Sequence, residues 1–176
     1  MIKWLLGTLL GVILGVAGYF YWYLGGWKTV TITENKMGPY YLIYKEHVGA
    51  YHIIAPVITE VEEWAKSQKI LCPKTFGEYF DDPSSIEEGR LKSRGGCILS
   101  EKINPKFPEG FQFAEIPEKD YVIAHFEGSP AIGPMKVYPK VMKHFEAMQK
   151  KINGSVIEIY EVHSQTAMTT TYLFGK

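Results

Sequence analysis

Two glutamates stand beside tyrosines in short strand-like runs, Gly77-Glu78-Tyr79-Phe80 and Ile157-Glu158-Ile159-Tyr160. A carboxylate held among aromatic rings loses hydration, so it keeps its proton more tightly unless a cation or a hydroxyl compensates. Such a group can capture a lipophilic cation through charge and ring faces together. It can also serve as a general base for water attacking a reactive ligand, with Tyr160 or another hydroxyl donating the proton. The plainer role for a strand glutamate beside a tyrosine is a hydrated residue on the outer face. For Glu78, which stands just ahead of Asp81-Asp82-Pro83, that structural role is the stronger reading.

The elements that position these groups are written twice, about eighty residues apart. Tyr41-Leu42-Ile43-Tyr44 leads through Gly49 and a helical stretch to Glu78, and Tyr121-Val122-Ile123-Ala124 leads through Gly128 and a second helical stretch to Glu158; each spans 37 positions. Duplicated units pack about a pseudo-two-fold axis, which would bring equivalent residues to one shared cleft. β-branched and aromatic runs predict strands at Thr29 to Glu34 and Tyr40 to Tyr44, interrupted by Met37-Gly38-Pro39. Ile54, Val57, Ile58, Val61, Trp64 and Ala65 then fall at helical steps, predicting a helix from about Tyr51 to Gln68 with Pro56 near its first turn. Thr75 to Phe80 and Leu91 to Leu99 follow as strands around an acidic loop. The second copy reads as strands Phe111 to Ile116 and Tyr121 to Phe126, then a helix carrying Val137, Val141, Phe145, Met148 and Ile152. Strands Ser155 to Glu161 and Ala167 to Phe174 complete it. The expected fold is α+β, with duplicated strand-helix-strand-strand units at about 29–100 and 111–175, antiparallel sheet, a central cleft, and Lys102 to Phe111 as linker. Trp64 and Phe145 lie on the inward stripes of the helices, as core side chains first and pocket walls second.

Trp4 to Leu24 contains no charged residue, enough at helical rise to cross a bilayer. Residues 1–27 therefore read as a single-pass transmembrane anchor and 28–176 as the folded domain. The rival is a cleaved signal peptide, with Leu5 to Ala17 as its apolar stretch and a cut after small residues such as Ala17-Gly18. Tyr19-Phe20-Tyr21-Trp22-Tyr23 and Trp27 favour retention, because such rings settle at the headgroup level. Gly7, Gly11 and Gly15 share one helix face and would let a second helix approach for self-association, although glycine is also simply common in such helices. Lys3 on one side and Lys28 and Lys36 on the other nearly balance. The very short leading tail tips the expectation toward a cytoplasmic amino terminus and an extracytoplasmic domain.

Nineteen basic and nineteen acidic residues cancel and no basic stripe stands out, so no nucleic-acid partner is expected. Twelve tyrosines suit a pocket that needs flat apolar faces with a hydroxyl at the edge. Cys72 and Cys97 form no metal pattern; a disulfide and two buried thiols both remain open. The histidines at 47, 52, 125, 144 and 163 lack metal-site spacing, and no metal or other cofactor is expected. Asn153-Gly154-Ser155 fits a glycosylation acceptor but reads more simply as a turn. Serine-nucleophile, phosphate-loop and thiol-base motifs are absent.

Four strings resemble, in order, the GyrI-like superfamily of small-molecule-binding domains, which is akin to the effector-binding domains of AraC-type regulators. They are Tyr44-Lys45-Glu46-His47-Val48-Gly49-Ala50-Tyr51, then Tyr79-Phe80-Asp81-Asp82-Pro83, then Leu91-Lys92-Ser93-Arg94-Gly95-Gly96-Cys97-Ile98, and Glu158-Ile159-Tyr160. The resemblance covers Val30 to Phe174. It implies two strand-helix-strand-strand units around a cleft, and members that are effector domains of multidrug-responsive regulators, toxin antagonists, or hydrolases of strained rings. It further implies Glu158 at the pocket floor and Tyr160 at its wall, with Tyr44 and Tyr172 on strands around the cleft. A haem-binding family of similar fold keeps single-histidine haem ligation open. Met168-Thr169-Thr170-Thr171-Tyr172 places threonine where some members carry a second acid, which argues against strong cation recognition and against catalysis. A leading membrane helix followed by this domain is also similar to testis-expressed receptors for turnover of the endoplasmic reticulum in animals. Their long disordered tail has no counterpart here, so no autophagy role is expected.

The leading expectation is a membrane-anchored module that binds a largely apolar or cationic small molecule through Glu158, Tyr160, Glu78, Tyr44, Trp64, Phe145 and Tyr172. A hydrolase with Glu158 as base and a tyrosine as acid, and a protein-interaction scaffold, are the alternatives.

Overall fold

The apolar amino-terminal stretch forms helix α1 (Ile2–Tyr23), and every side chain from Leu6 to Tyr23 stands exposed. Its Leu6–Tyr23 portion has a mean hydropathy of 1.4, long and apolar enough to cross a membrane, a test that a signal sequence also passes. This computed structural model describes residues 2–103, 105–163 and 168–176.

The remaining elements are β1 (Thr31–Met37), β2 (Tyr40–Val48), α2 (Ala55–Ser67), β3 (Lys74–Tyr79), β4 (Lys92–Leu99), β5 (Phe111–Ile116), β6 (Lys119–Phe126), α3 (Gly133–Ala147), β7 (Val156–Val162) and β8 (Met168–Gly175). They form an α+β fold with one antiparallel sheet in the order β1-β6-β8-β7-β3-β4-β2-β5. Local chemistry sets the element ends. The helix expected from Tyr51 begins as a 3-10 turn at Tyr51–Ile53, and α2 proper starts at Ala55 with Pro56 in its first turn, where no backbone donor is needed. Helix α3 stops short of Ile152, because Gln149 adopts φ +54°. Gly154 then turns the chain at φ +78°, and the Asn153 amide donates to the Gly175 carbonyl, so Asn153-Gly154-Ser155 is a turn.

Two short connections force the sheet to curl. Only Gly38-Pro39 join β1 at one edge to β2 beside the other, and only Pro117-Glu118 join β5 to β6 in the mirrored sense. In a flat sheet β1 and β2 would stand about 29 Å apart, six strand spacings. Three Cα steps reach no more than about 11 Å. The edges therefore swing together, and the two connections touch: a side chain on Gly38, itself at φ +107°, would come within 3.1 Å of the Glu118 backbone. The curl buries the helix-free face on itself. Leu42, Tyr44, Phe76, Ile98, Ile116, Tyr121, Ile123, Ile157, Ile159 and Leu173 make that core, from seven strands and no helix.

The opposite face carries both helices. Val61 and Ala65 of α2 cover Ile43, Cys97 and Leu99, and Ile58 sits so close over Gly95 that a Cβ there would lie 2.6 Å from it. Val137, Val141 and Phe145 of α3 pack on Val122, Ala124, Phe126, Tyr172 and Phe174. Cys72 and Cys97 are joined as a disulfide that ties the exit of α2 to β4.

The 37-position match does not mark equivalent places in this sheet. Tyr41 stacks on Phe113 on the helix side, whereas Tyr121 is buried in the helix-free core. Glu78 lies opposite Ile157 and faces that same core, whereas Glu158 lies opposite Tyr172 and faces the helices. Side chains alternate along a strand, so a one-residue offset turns every group to the other face. Glu78 and Glu158 therefore do not meet across one cleft.

Candidate functional site

Glu158 sits in the middle of the sheet on β7, with Gly77 of β3 as its cross-strand neighbour on one side and Tyr172 of β8 on the other. The two-residue period puts Tyr160 on the same face, and Gly77 and Tyr79 share it across the strand pair. Gly77 matters because it lacks a side chain: a Cβ there would lie 2.7 Å from the Tyr79 hydroxyl, which instead leans over the glycine. Tyr79 and Tyr160 share a hydrogen bond of 2.9 Å, and the Tyr160 hydroxyl donates to Glu158 Oε2 at 3.1 Å. From above, the Tyr138 hydroxyl of α3 approaches Oε1 at 3.5 Å, the outer limit of such a bond. The Tyr138 ring meets the fully buried Tyr172 edge-on at 6.4 Å.

The result is a carboxyl group only 5% exposed, ringed by four tyrosines. Among the described residues no basic side chain pairs with it. Burial pushes the Glu158 carboxyl up to about pH 7, against the hydrogen bonds from Tyr160 and Tyr138 that pull the other way. Burial, and then the charge on Glu158, push Tyr79, Tyr138, Tyr160 and Tyr172 well above the usual phenol range. All four are fixed as neutral hydroxyls at neutral pH. Below the ring, Thr170 is the direct partner of Tyr160, and its buried hydroxyl lies near that of Tyr172 without a well-directed hydrogen bond between them.

Helix α3 is the cover of this site. Gly133 opens it directly over the Tyr172 hydroxyl, where a Cβ would come within 2.1 Å, so only glycine lets the helix sit this low. Tyr138 is followed by Pro139, which cannot donate to the preceding turn and weakens the helix just beyond the covering residue.

Sequence expectation and geometry part for several residues. Glu158, Tyr160 and Tyr172 come together. Glu78 and Tyr44 belong to a separate cluster on the helix-free face: Arg94 Nε binds Glu78 at 2.6 Å, Ser155 donates to its other oxygen at 2.5 Å, and the Arg94 guanidinium lies 4.4 Å over the Tyr44 ring. Tyr44 in turn donates to Gln112 at 3.0 Å. Trp64 packs on Phe107 and Phe111 in the α2 cluster, and Phe145 is 2% exposed in the α3 cluster. Tyr79 and Tyr138 complete the site although they are not among the residues expected from the sequence. Tyr79 carries the signal of the Gly77-x-Tyr79 step beside the site strand, and Tyr138 that of flanking the Val137-Val141-Phe145 stripe. Among the described residues no three His, Cys, Asp or Glu side chains gather as a metal site.

The sequence pattern of the GyrI-like small molecule binding domain matches residues 31–173. The crystal structure of the EcmrR C-terminal domain superposes with a TM-score of 0.66 at 14% identity, over 84% of this chain and 98% of that one. EcmrR in its DNA complex, solved by cryo-electron microscopy, gives 0.66 at 13% identity, over 98% of this chain and 67% of that one. SAV2435 bound to tetraphenylphosphonium gives 0.56 at 10% identity, over 83% and 94%. At these identities the likeness is one of fold. No curated protein matches by sequence, and the comparison with endoplasmic-reticulum turnover receptors has no support beyond the shared order of helix and domain.

Proposed function

Because the chain belongs to the GyrI-like small-molecule binding domain family, we propose that it captures a lipophilic monovalent cation at Glu158, between Tyr79, Tyr138, Tyr160 and Tyr172. The observation that carries this reading is the buried carboxyl, without a basic partner among the described residues and enclosed by ring faces that attract a cation. A single carboxylate balances a single positive charge, so threonine in place of a second acid is compatible with a monovalent ligand. SAV2435, of similar fold, was solved with such a cation. Entry requires the first turns of α3 to lift, since Tyr138 covers the carboxyl.

Helix α1 is read as a retained anchor, and the Cys72–Cys97 disulfide supports a domain on the oxidising side of the membrane. The DNA in the EcmrR complex belongs to that protein; the balanced charge of this chain favours a small molecule as its partner. A second reading rests on the position of the Glu158 carboxyl near pH 7. It suits a general base, with Tyr160 as acid, for hydrolysis of a reactive ligand. Turnover lost in Glu158→Gln with ligand binding kept would select that reading.

The test of binding is calorimetric titration of tetraphenylphosphonium into the purified full chain in detergent. One saturable site is expected, and Tyr160→Ala is expected to weaken it by about 1 kcal/mol, roughly fivefold, through the lost ring contact. Titrations that never saturate, with this or any other lipophilic cation tried, would overturn the proposal. For the anchor, the intact mass of the protein from its native host should retain residues 1–27; loss of roughly the first eighteen would identify a cleaved signal instead.

A further inference from the structure

Segment 24–28, which joins α1 to β1, is built into the cover of the site. Gly25 and Gly26 are buried, although α1 is exposed from Leu6 to Tyr23 just before them. The Leu24 carbonyl accepts from the Ser129 amide at 2.9 Å, and Gly25, at φ +82°, lies so close to Gly128 that a Cβ would come within 3.1 Å of its backbone. Lys136, in the first turns of α3, donates through Nζ to the carbonyls of Gly26 and of Lys28, the latter at 2.5 Å. Two residues further along the same helix is Tyr138 over Glu158, and next comes Pro139, where the helix lacks a backbone hydrogen bond.

From this geometry we infer that segment 24–28 clamps the amino-terminal turns of α3 shut over Glu158, so that ligand entry and release of the clamp are one linked event that couples site occupancy to α1. The inference rests on Glu158 being the ligand site. A cover held closed lowers apparent affinity by the fraction of molecules that are open, and loosening the clamp removes that penalty. Linkage makes the effect reciprocal: if a looser clamp tightens binding, bound ligand must loosen the clamp to the same degree.

The experiment uses the full chain in detergent micelles with tetraphenylphosphonium as probe, read by calorimetry and by hydrogen exchange. Lys136→Met removes both carbonyl contacts while keeping a chain of similar length, and Gly25→Ala loosens the segment from its other side. Both variants are expected to bind the probe about fivefold more tightly than the wild type. Saturating probe is expected to speed exchange of amides 24–28 and 127–133 of the wild type by the same factor, about fivefold. Affinity that is unchanged or weaker in both variants, or exchange at 24–28 that saturating probe does not move, overturns the coupling. Binding indifferent to Glu158→Gln overturns the ligand reading itself, and the coupling falls with it.

Discussion

Tetraphenylphosphonium should bind this protein about tenfold more weakly for each pH unit below 7, and nearly independently of pH above it. The Glu158 carboxyl, lifted by burial to about 7, must lose its proton before it can face a cation, so the ligand competes with one proton. At pH 5.5 the loss amounts to roughly 30-fold, about 2 kcal/mol. Glu158→Gln removes the charge and the titration together. It should cost about 1–3 kcal/mol at pH 8, the scale of a charge-assisted contact in a dry site, and leave affinity flat between pH 5 and 8. Calorimetry across that range decides the point. A wild-type profile as flat as that of the variant would mean that the carboxyl does not meet the charge of the ligand.

The same carboxyl should make the empty protein less stable as the pH rises. Its folded value of about 7 lies above the ordinary 4.5, so between these values the folded state holds a proton that the unfolded chain releases. Stability contributed by the protonated group is complete below about pH 4.5 and is lost as the pH climbs through 7. The full difference is about 3 kcal/mol, as an order of magnitude. Glu158→Gln keeps the shape of the neutral acid and has nothing to titrate. Its stability advantage over the wild type should therefore grow by about 2–3 kcal/mol between pH 5 and pH 8. Urea unfolding of both proteins at the two pH values measures this, and parallel pH dependence would show the carboxyl to be hydrated in the folded state.

Both results turn on one side chain whose neighbours are only partly written beside it. Strand alternation alone put Glu158 and Tyr160 on a common face, because the period of two is local. The helical steps of Val61, Trp64 and Ala65 and of Val137, Val141 and Phe145 likewise announced α2 and α3, and the long uncharged run announced α1. The strings that resemble the GyrI-like superfamily lie within the span its pattern matches. What alternation leaves open is which of two faces a set of side chains takes. Glu78 and Glu158 share a spacing and a neighbouring tyrosine, yet one pairs with Arg94 in the helix-free core and the other lies under α3.

That choice belongs to long-range pairing. It was made by the register of β3 against β7, by the edge strands β1 and β5 pairing with β6 and β2, and by two-residue connections that curl the sheet. The tyrosines of the site come from β3, α3, β7 and β8, distant in sequence, and Tyr138 reaches Glu158 only because Gly133 lets the helix settle on Tyr172. The sequence by itself determined the elements, their amphipathic faces and the same-strand pair of carboxyl and hydroxyl, since each follows from neighbours a few residues apart. Only the tertiary structure decided which tyrosines surround that carboxyl and that Lys136 of α3 bonds to segment 24–28, because those contacts join residues about 20 to 110 positions apart whose meeting depends on strand register and sheet curvature.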